Sequence, residues 1–532
     1  MFRRLRALVH LGLGLAAASP AFAQAPAAAP SRPVPPAVRR AVETITQEHF
    51  RTGVGVLAHD SMRGRETPSP ETEKAALWVA SEFRRIGLRP AGDSGGYIQR
   101  FRLRRTRLDS TTALTATSGR GDTTRWVLRR DFVLAGGAAP NTTRTMPVVL
   151  VSGIPTDSAR PFGDVNLTGA AVLHLIQVSQ IRGPVLNQLV GRAVGQGAVA
   201  WIVVAAAPPP LWANFAGRPL PEGWSLVGRE VQDGTPAVML LRDSAAFGLF
   251  RALGEDPATL WTPAAQGVRA LSGAQITFNP SWTTLEEVTS PNAVGMLEGS
   301  DRTLRNEAVV FVAHMDHVGV ANPASPRRCG ADGADSVCNG ANDNASGTVG
   351  VVELAEAYAS LRPRPRRSMV FVAVSAEERG LYGAYYYADH PVIPMDRTVA
   401  ALDFDMIARN SPDTIVTVGK GLSTLTDVAD RVAAEHPELH LVPANDPDPS
   451  GINFQSSDHL PFAQKGVPVL FFFSGVHPDL HGASDSIERA DLEKATRVAR
   501  LVFYIGLEVA NAAGRPQWDP AARQRIVTAA GH

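Results

Sequence analysis

The apolar run Val310, Phe311, Val312, Ala313 ends in His314, Met315 and Asp316, an imidazole and a carboxylate two residues apart at the end of a strand-like segment. Period-two geometry sends both side chains to the same side of a sheet, so one can bind a metal ion while the other orients it. A lone histidine at a strand end is more often an ordinary loop residue, and the motif gains weight only from polar clusters further along the chain. Asp343 lies in the polar stretch Asn339, Gly340, Ala341, Asn342, Asp343, Asn344, Ala345, Ser346, Gly347, just before a helical pattern. Asn344 or Ser346 suffices to cap that helix, which frees Asp343 for another task. A carboxylate on a tight loop can bridge two metal ions with its two oxygens, and a histidine cannot.

Glu377 and Glu378 end another apolar run, where one can ligate metal and the other remain free as a general base; a solvated acidic loop tip is the competing reading. Asp403 and Asp405 share one face of the apolar run Leu402 to Ile407. Buried carboxylates are costly unless paired or metal-bound, and nearby Arg409 keeps a structural salt bridge in play. His477, Asp479, His481 and Asp485 come after a last apolar run and offer one ligand and one supporting acid. Nitrogen and carboxylate donors without thiolate suit zinc, with manganese or cobalt as alternatives. Two such ions about 3.5–4 Å apart can activate water, polarise a carbonyl and steady an oxyanion, which is a recipe for hydrolysis.

These residues need elements to deliver them. Strand-like runs at 308–313, 368–375, 399–407 and 467–473 alternate with helical stretches, including 347–361, where Val351, Leu354, Ala355 and Tyr358 share a face. The pattern predicts an α/β architecture, a mixed and mainly parallel sheet covered by helices, with ligands at the carboxyl ends of strands. Residues 37–50 and 73–86 read as packed helices, the second stopped by Gly87. Between 146 and 271 the style changes to short β-rich runs with Pro/Gly turns, one helix-like run at 185–195 and no clustered His/Asp/Glu set. That stretch reads as an inserted β-rich domain with a shaping or structural role.

At 532 residues the chain exceeds what one core usually serves. Arg3, Arg4 and Arg6, an apolar stretch over 7–18 and Ala21-Phe22-Ala23 read as a secretory signal cleaved before Gln24, too short to span a bilayer. No cysteine follows the apolar stretch, which argues against a lipoprotein. Without that segment 49 Lys+Arg face 51 Asp+Glu, a balance that suggests no nucleic-acid partner. Residues 24–36, nearly all Ala, Pro and Ser, read as a flexible tether. Export lets the only two cysteines, Cys329 and Cys338, form a surface-loop disulfide; a Cys-containing zinc site is the rival, but no neighbouring ligand completes it.

With these residues in view, the chain resembles the secreted dizinc aminopeptidase family whose members often carry an inserted protease-associated domain. The resemblance runs in order through Met62 to Glu66, His314 to Gly319, Asn342 to Gly347, Glu377 to Gly383, Asp405-Met406, Ser457-Asp458-His459 and His477 to His481. It implies the zinc aminopeptidase fold over most of 37–510. It also implies two zinc ions per chain, one held by His314, Asp343 and Asp405, the other by Asp343, Glu378 and His481. Glu377 would be the general base and Asp316 the group orienting His314. The implied activity is removal of amino-terminal residues from peptide substrates, in the periplasm or the medium. Carboxypeptidase or aminoacyl-cyclase chemistry, or a non-catalytic binding ectodomain, are the alternatives.

Three departures stand out: Asp403 where the family commonly has Asn, Leu480 where a tyrosine often precedes the last histidine, and the insertion carrying the two cysteines. The expected division is a signal over 1–23, a linker over 24–36, peptidase over 37–145 and 272–512, the protease-associated-like insertion over 146–271, and a tail over 513–532.

Overall fold

The computed structural model describes residues 34–529 except 137–141, 156, 158, 177–182, 206–207, 230–236, 253–254, 262–266, 323–328 and 449–450. The expected signal segment and all but the last three linker residues lie outside the described residues.

Four apolar runs of the carboxyl-terminal half become the central strands Ala308–His314, Ser368–Val374, Thr398–Asp405 and Val469–Phe473. They are mutually parallel where they pair, in the spatial order Val469–Phe473, Thr398–Asp405, Ala308–His314, Ser368–Val374. Their carboxyl ends therefore share one edge of the sheet, the edge to which His314, Glu377, Asp405 and the 477–485 turn belong. Antiparallel strands extend both flanks: Thr414–Val418 beside Val469–Phe473, and Trp282–Leu297 beside Ser368–Val374. The sheet is mixed, as the pattern predicted, but it is not mainly parallel: among the described residues its strand pairings are four parallel and five antiparallel, because antiparallel pairing begins at both flanks of the parallel centre.

These strands are apolar at nearly every position because both faces are buried. Val309, Phe311, Phe371, Leu402 and Phe472 point into one core with helices Gly347–Ser360, Leu492–Asn511 and Pro70–Ile86. Val310, Val312, Val370, Val372 and Ala401 point the other way, against Tyr387 and Phe462 of helices Tyr382–Asp389 and His459–Gln464. Helix Pro70–Ile86 starts where Ser69 accepts from Thr72 N and stops at Gly87, whose φ of +82° suits a residue without Cβ. Gly347–Ser360, expected to show one apolar face, is buried on nearly every side because other helices pack around it.

A second sheet of eight strands has its own cores on both faces. Four of its strands run parallel, Arg144–Ser152, Ala171–Leu175, Ala200–Ala205 and Ala237–Arg242. Its other members reach from Ala113–Thr117 to Gly267–Asn279, wider than the 146–271 read from sequence, because the 113–136 strands pair with partners distant in the chain. One segment from within 146–271, Glu222–Leu226, instead joins the edge of the first sheet. Within 513–532, set apart as a tail, Pro520–Ala529 is a helix near His459–Gln464, and Trp518 Nε1 donates to Gly466 O (2.9 Å).

Phe371 is fully buried and stacks on Phe311 with ring centroids 5.4 Å apart. Phe371→Ala should lower unfolding free energy by about 3–5 kcal/mol, read as a fall in urea midpoint at constant slope.

Candidate metal centre

The shared sheet edge gathers every donor singled out from the sequence into two clusters with one member in common. In the first, His314 Nε2 lies 3.5 Å from Asp343 Oδ1 and 3.2 Å from Asp405 Oδ1. In the second, His481 Nε2 lies 3.3 Å from Asp343 Oδ2 and 3.3 Å from Glu378 Oε1. Asp343 thus turns one oxygen to each cluster.

Donors held about 2.0–2.2 Å from a tetrahedral ion stand about 3.2–3.6 Å from one another. The measured separations match that spacing. His314 Nε2 and Asp405 Oδ1 are, moreover, buried atoms without a hydrogen-bond partner. Buried polar atoms are seldom left so, and a cation between them would satisfy both. The residues fit a pair of metal ions.

Local structure explains how each donor is held. The loop carrying Asp343 is tied from two directions: Asn342 N and Asp343 N donate to the Asp485 carboxylate (3.0–3.2 Å), and Asn344 Nδ2 donates to Phe404 O (2.8 Å). Asn344 Oδ1 accepts from Gly347 N (2.9 Å), so the capping role falls to Asn344 and Asp343 is free of it. Thr348 Oγ1 donates to His314 O (2.7 Å), and Ser457 Oγ donates to Asp405 Oδ2 (3.0 Å), which leaves Oδ1 for the cluster. Ala376, Met406 and His481 adopt left-handed φ of +59°, +58° and +55°. Backbone strain of this kind concentrates where side chains must be aimed, and each of these residues is a candidate donor or adjoins the Glu377-Glu378 or Asp405 positions.

Glu377 belongs to neither cluster but lines the same cleft, about 400 Å³ in volume, with Asp343, Glu378, Asp405 and His481. Burial raises its pKa well above the ordinary carboxylate value; His314 opposes this, while Glu378, Asp458 and Asp405 add to it. Burial would raise Glu378 too, but hydrogen bonds from His317 and His481 hold it well below. Burial disfavours a charged His314, yet Asp405, Glu377 and Asp343 more than reverse that and raise it well above its usual value.

Asp316 is fully buried, but its Oδ1 is 3.9 Å from His314 Nδ1, which is closer to the Asp316 backbone carbonyl at 3.2 Å. Its carboxylate instead accepts from Glu377 N (3.3 Å), so the acid expected to orient the histidine touches the segment carrying the second candidate function. Asp403 accepts from His459 N (3.0 Å) and lies 3.1 Å from its ring Nδ1, in neither cluster. Arg409 pairs with Asp479, not with Asp403 or Asp405. Of the four groups in the last segment, His481 is the one that joins a cluster and Asp485 the one that accepts from the Asp343 loop, while His477 lies 2.9 Å from Asn342 Nδ2.

The sequence reading missed His317. Its Nδ1 is 3.1 Å from Glu378 Oε1 and 3.5 Å from Asp343 Oδ2, which adds a fourth donor to the second cluster. The available signal was its place three residues after His314, at the irregular end of the same strand. Cys329 and Cys338 are joined as a disulfide. The loop it closes touches the site, because Gly330 N donates to His481 O and Ala483 N to Gly330 O, both at 2.8 Å.

Residues 292–506 match the family model described as Peptidase family M28. Among curated relatives, Aminopeptidase YwaD of Bacillus subtilis is 28% identical over 243 residues, 43% of this chain and 47% of that protein. A probable zinc metalloprotease of Leptosphaeria maculans is 28% identical over 219 residues, 34% of this chain and 50% of that protein. Leupeptin-inactivating enzyme 1 of Streptomyces exfoliatus is 31% identical over 144 residues, 26% and 31% of the respective chains. The chain thus spans about half or less of the length of these relatives. Among solved structures, the aminopeptidase from Aneurinibacillus sp. strain AM-1 aligns at 18% identity and a TM-score of 0.49, covering 91% of this chain and 98% of that one.

His481 supplies a pH test of the cluster. In the metal-free protein burial disfavours its charge, but hydrogen bonds with Asp343 and Glu378 raise its pKa to about 10, against an unfolded value of 6.5. A group raised on folding stabilises fully below its unfolded pKa and loses that contribution as pH rises through the folded one. Thermal unfolding of chelator-treated protein should therefore fall between about pH 6.5 and 10, and His481→Gln should flatten that slope.

Proposed function

We propose that the chain is an exported dizinc aminopeptidase, which hydrolyses the bond after the first residue of a peptide. The observation that carries this reading is the Asp343 carboxylate, one oxygen facing each donor cluster, beside a glutamate that belongs to neither. The match of residues 292–506 to the model of Peptidase family M28 supports it, as do relatives named as an aminopeptidase and a probable zinc metalloprotease. The nitrogen and carboxylate donor set suits zinc. His314, Asp343 and Asp405 would hold one ion, and Asp343, Glu378 and His481 the other, with His317 as a further donor. The signal-like first 23 residues and the Cys329–Cys338 disulfide support export. The second sheet, with cores of its own, is the counterpart of the protease-associated domain.

When bound, the zinc pair supplies Lewis acidity that polarises the scissile carbonyl and lets water be deprotonated near neutral pH. Glu377, in the same cleft, accepts the proton from the attacking water and returns it to the departing amine nitrogen. Asp316 holds Glu377 in place through its backbone N–H. The wall of the same cleft also includes Met406, Ile452, Phe471, Phe473, Val476 and Leu480, apolar groups suited to the side chain of the residue to be removed. Leu480, where the family often has a tyrosine, adds to this wall and supplies no phenol to the oxyanion.

Glu377→Gln should retain two zinc ions per chain while kcat falls by about 10²–10⁴-fold. Undiminished turnover in that variant would remove Glu377 from the mechanism. A panel of free, amino-blocked and carboxyl-blocked peptides tests the bond cleaved: free and carboxyl-blocked peptides with apolar first residues should be hydrolysed and amino-blocked ones spared. Cleavage confined to substrates with a free carboxyl end would instead identify a carboxypeptidase.

A further inference from the structure

Arg65 has no role in the chemistry above, yet it is among the largest side chains that are completely buried. Its guanidinium is bonded to backbone carbonyls of three separate segments. Nε donates to Met315 O (2.9 Å), Nη1 to Leu57 O (2.5 Å) and Asn339 O (2.7 Å), and Nη2 to Gly340 O (3.0 Å). Met315 separates His314 from Asp316, and Asn339 and Gly340 lead directly into the Asp343 loop. One rigid, planar cation thus links the strand end bearing the first histidine to the approach of the shared aspartate.

The backbone around Arg65 is built to put it there. Arg63, Gly64 and Arg65 all have left-handed φ, at +44°, +66° and +46°. A Cβ at Gly64 would sit 2.3 Å from Gly319 O and 2.5 Å from Cys338 O, so only glycine permits so close an approach. The turn is sewn to the His314 segment by His317 N donating to Arg65 O (3.3 Å) and Gly319 N to Gly64 O (3.1 Å). Thr72 Oγ1 also donates to Arg65 O (2.9 Å). Burial lowers the pKa of Arg65 to about 10, and Asp343, Asp316, Asp485 and Glu378 oppose that fall. At neutral pH its fixed charge therefore offsets repulsion among carboxylates that stand close together before an ion is bound.

We propose that Arg65 is a positioning residue for the metal centre, its guanidinium locking the His314–Asp316 strand end against the Asn339–Gly340 approach to Asp343 so that both donor clusters are assembled before any ion binds. This rests on reading the clusters as zinc sites. Lysine keeps the charge but offers a single nitrogen with three donors, which cannot span carbonyls on three segments. Geometry and charge are therefore separable by substitution.

The test is zinc titration of metal-free protein against a chromophoric chelator, for wild type, Arg65→Lys, Arg65→Met and Arg367→Lys. Arg367 is equally buried and donates to Val509 O (3.0 Å), Ala512 O (2.6 Å) and Glu307 (2.7 Å), so it controls for the general cost of altering a buried arginine. Both Arg65 variants should bind zinc about 10–100-fold more weakly, the range for losing a group that orients ligands, and Arg367→Lys should lose stability but keep wild-type zinc affinity. Wild-type affinity in Arg65→Lys overturns the proposal, as does equal weakening in Arg367→Lys. Wild type binding fewer than two zinc ions overturns the underlying dizinc reading instead.

If the Arg65 variants do not fold, hydrogen exchange on the wild type decides. Peptides covering 314–317 and 339–343 should be as protected in the metal-free protein as in the zinc-loaded one. Protection that arises only with zinc overturns the proposal.

Discussion

The architecture turns on one constraint: a crowd of buried carboxylates at one sheet edge has to be made tolerable. Asp316, Asp343, Asp403, Asp405 and Asp458 all lie in the interior within a short span of the fold, and Glu377 and Glu378 stand beside them. Such a collection is sustained by opposite charge and by hydrogen bonds aimed at the charged oxygens. The structure supplies three imidazoles, a bed of backbone N–H groups at Asn342 and Asp343 facing Asp485, and Arg65 behind the Asp343 loop. The spacing of the donors is that of a coordination shell, so two divalent cations would complete the account. Asp343 is the pivot because each of its oxygens is committed to a different cluster.

Parallel pairing is what brings the pieces together. His314, Glu377 and Asp405 come from segments separated by dozens of residues, and each lies at or just beyond a strand that ends at the same edge. The alternation of buried side chains along those strands anchors them to two cores, so a one-residue slip in any strand would exchange the faces and withdraw a donor. Rigidity of the sheet is thereby transmitted to the site. The irregular residues, Ala376, Met406 and His481 with left-handed φ, are confined to the final step from strand or turn to donor.

Much of this was legible in the chain. The strand runs, the helix after the Asp343 loop, the shared edge and the polar clusters that carry the candidate donors could be read from apolar periodicity interrupted by polar residues, whereas the choice of His314, Asp343, Glu377, Glu378, Asp405 and His481 within those clusters followed from the family resemblance. Features that stayed hidden depended on pairings between distant segments. The strands at 113–136 gave no sign that their partners lay at 237–242 and 275–279, so the second sheet is broader than its sequence style suggested. His317 was overshadowed by the stronger neighbour His314, and nothing in the chain signalled that Asp316, 3.9 Å from His314 Nδ1, also accepts from Glu377 N. Arg65 carried no periodic signal, since its role is written only in the carbonyls it meets.

One contrast within the centre has a kinetic meaning. The side chains of His314, Asp343 and Asp405 are each at most 10% exposed, whereas His481, on a turn and not a strand, is 36% exposed. Its backbone leans on a loop closed by a covalent crosslink, not on the sheet. Both halves open on the cleft that Asp343, Asp405, Glu378 and His481 line, but only the second includes a donor that is a third exposed. An ion held beside His481 would be the more open to exchange with solvent.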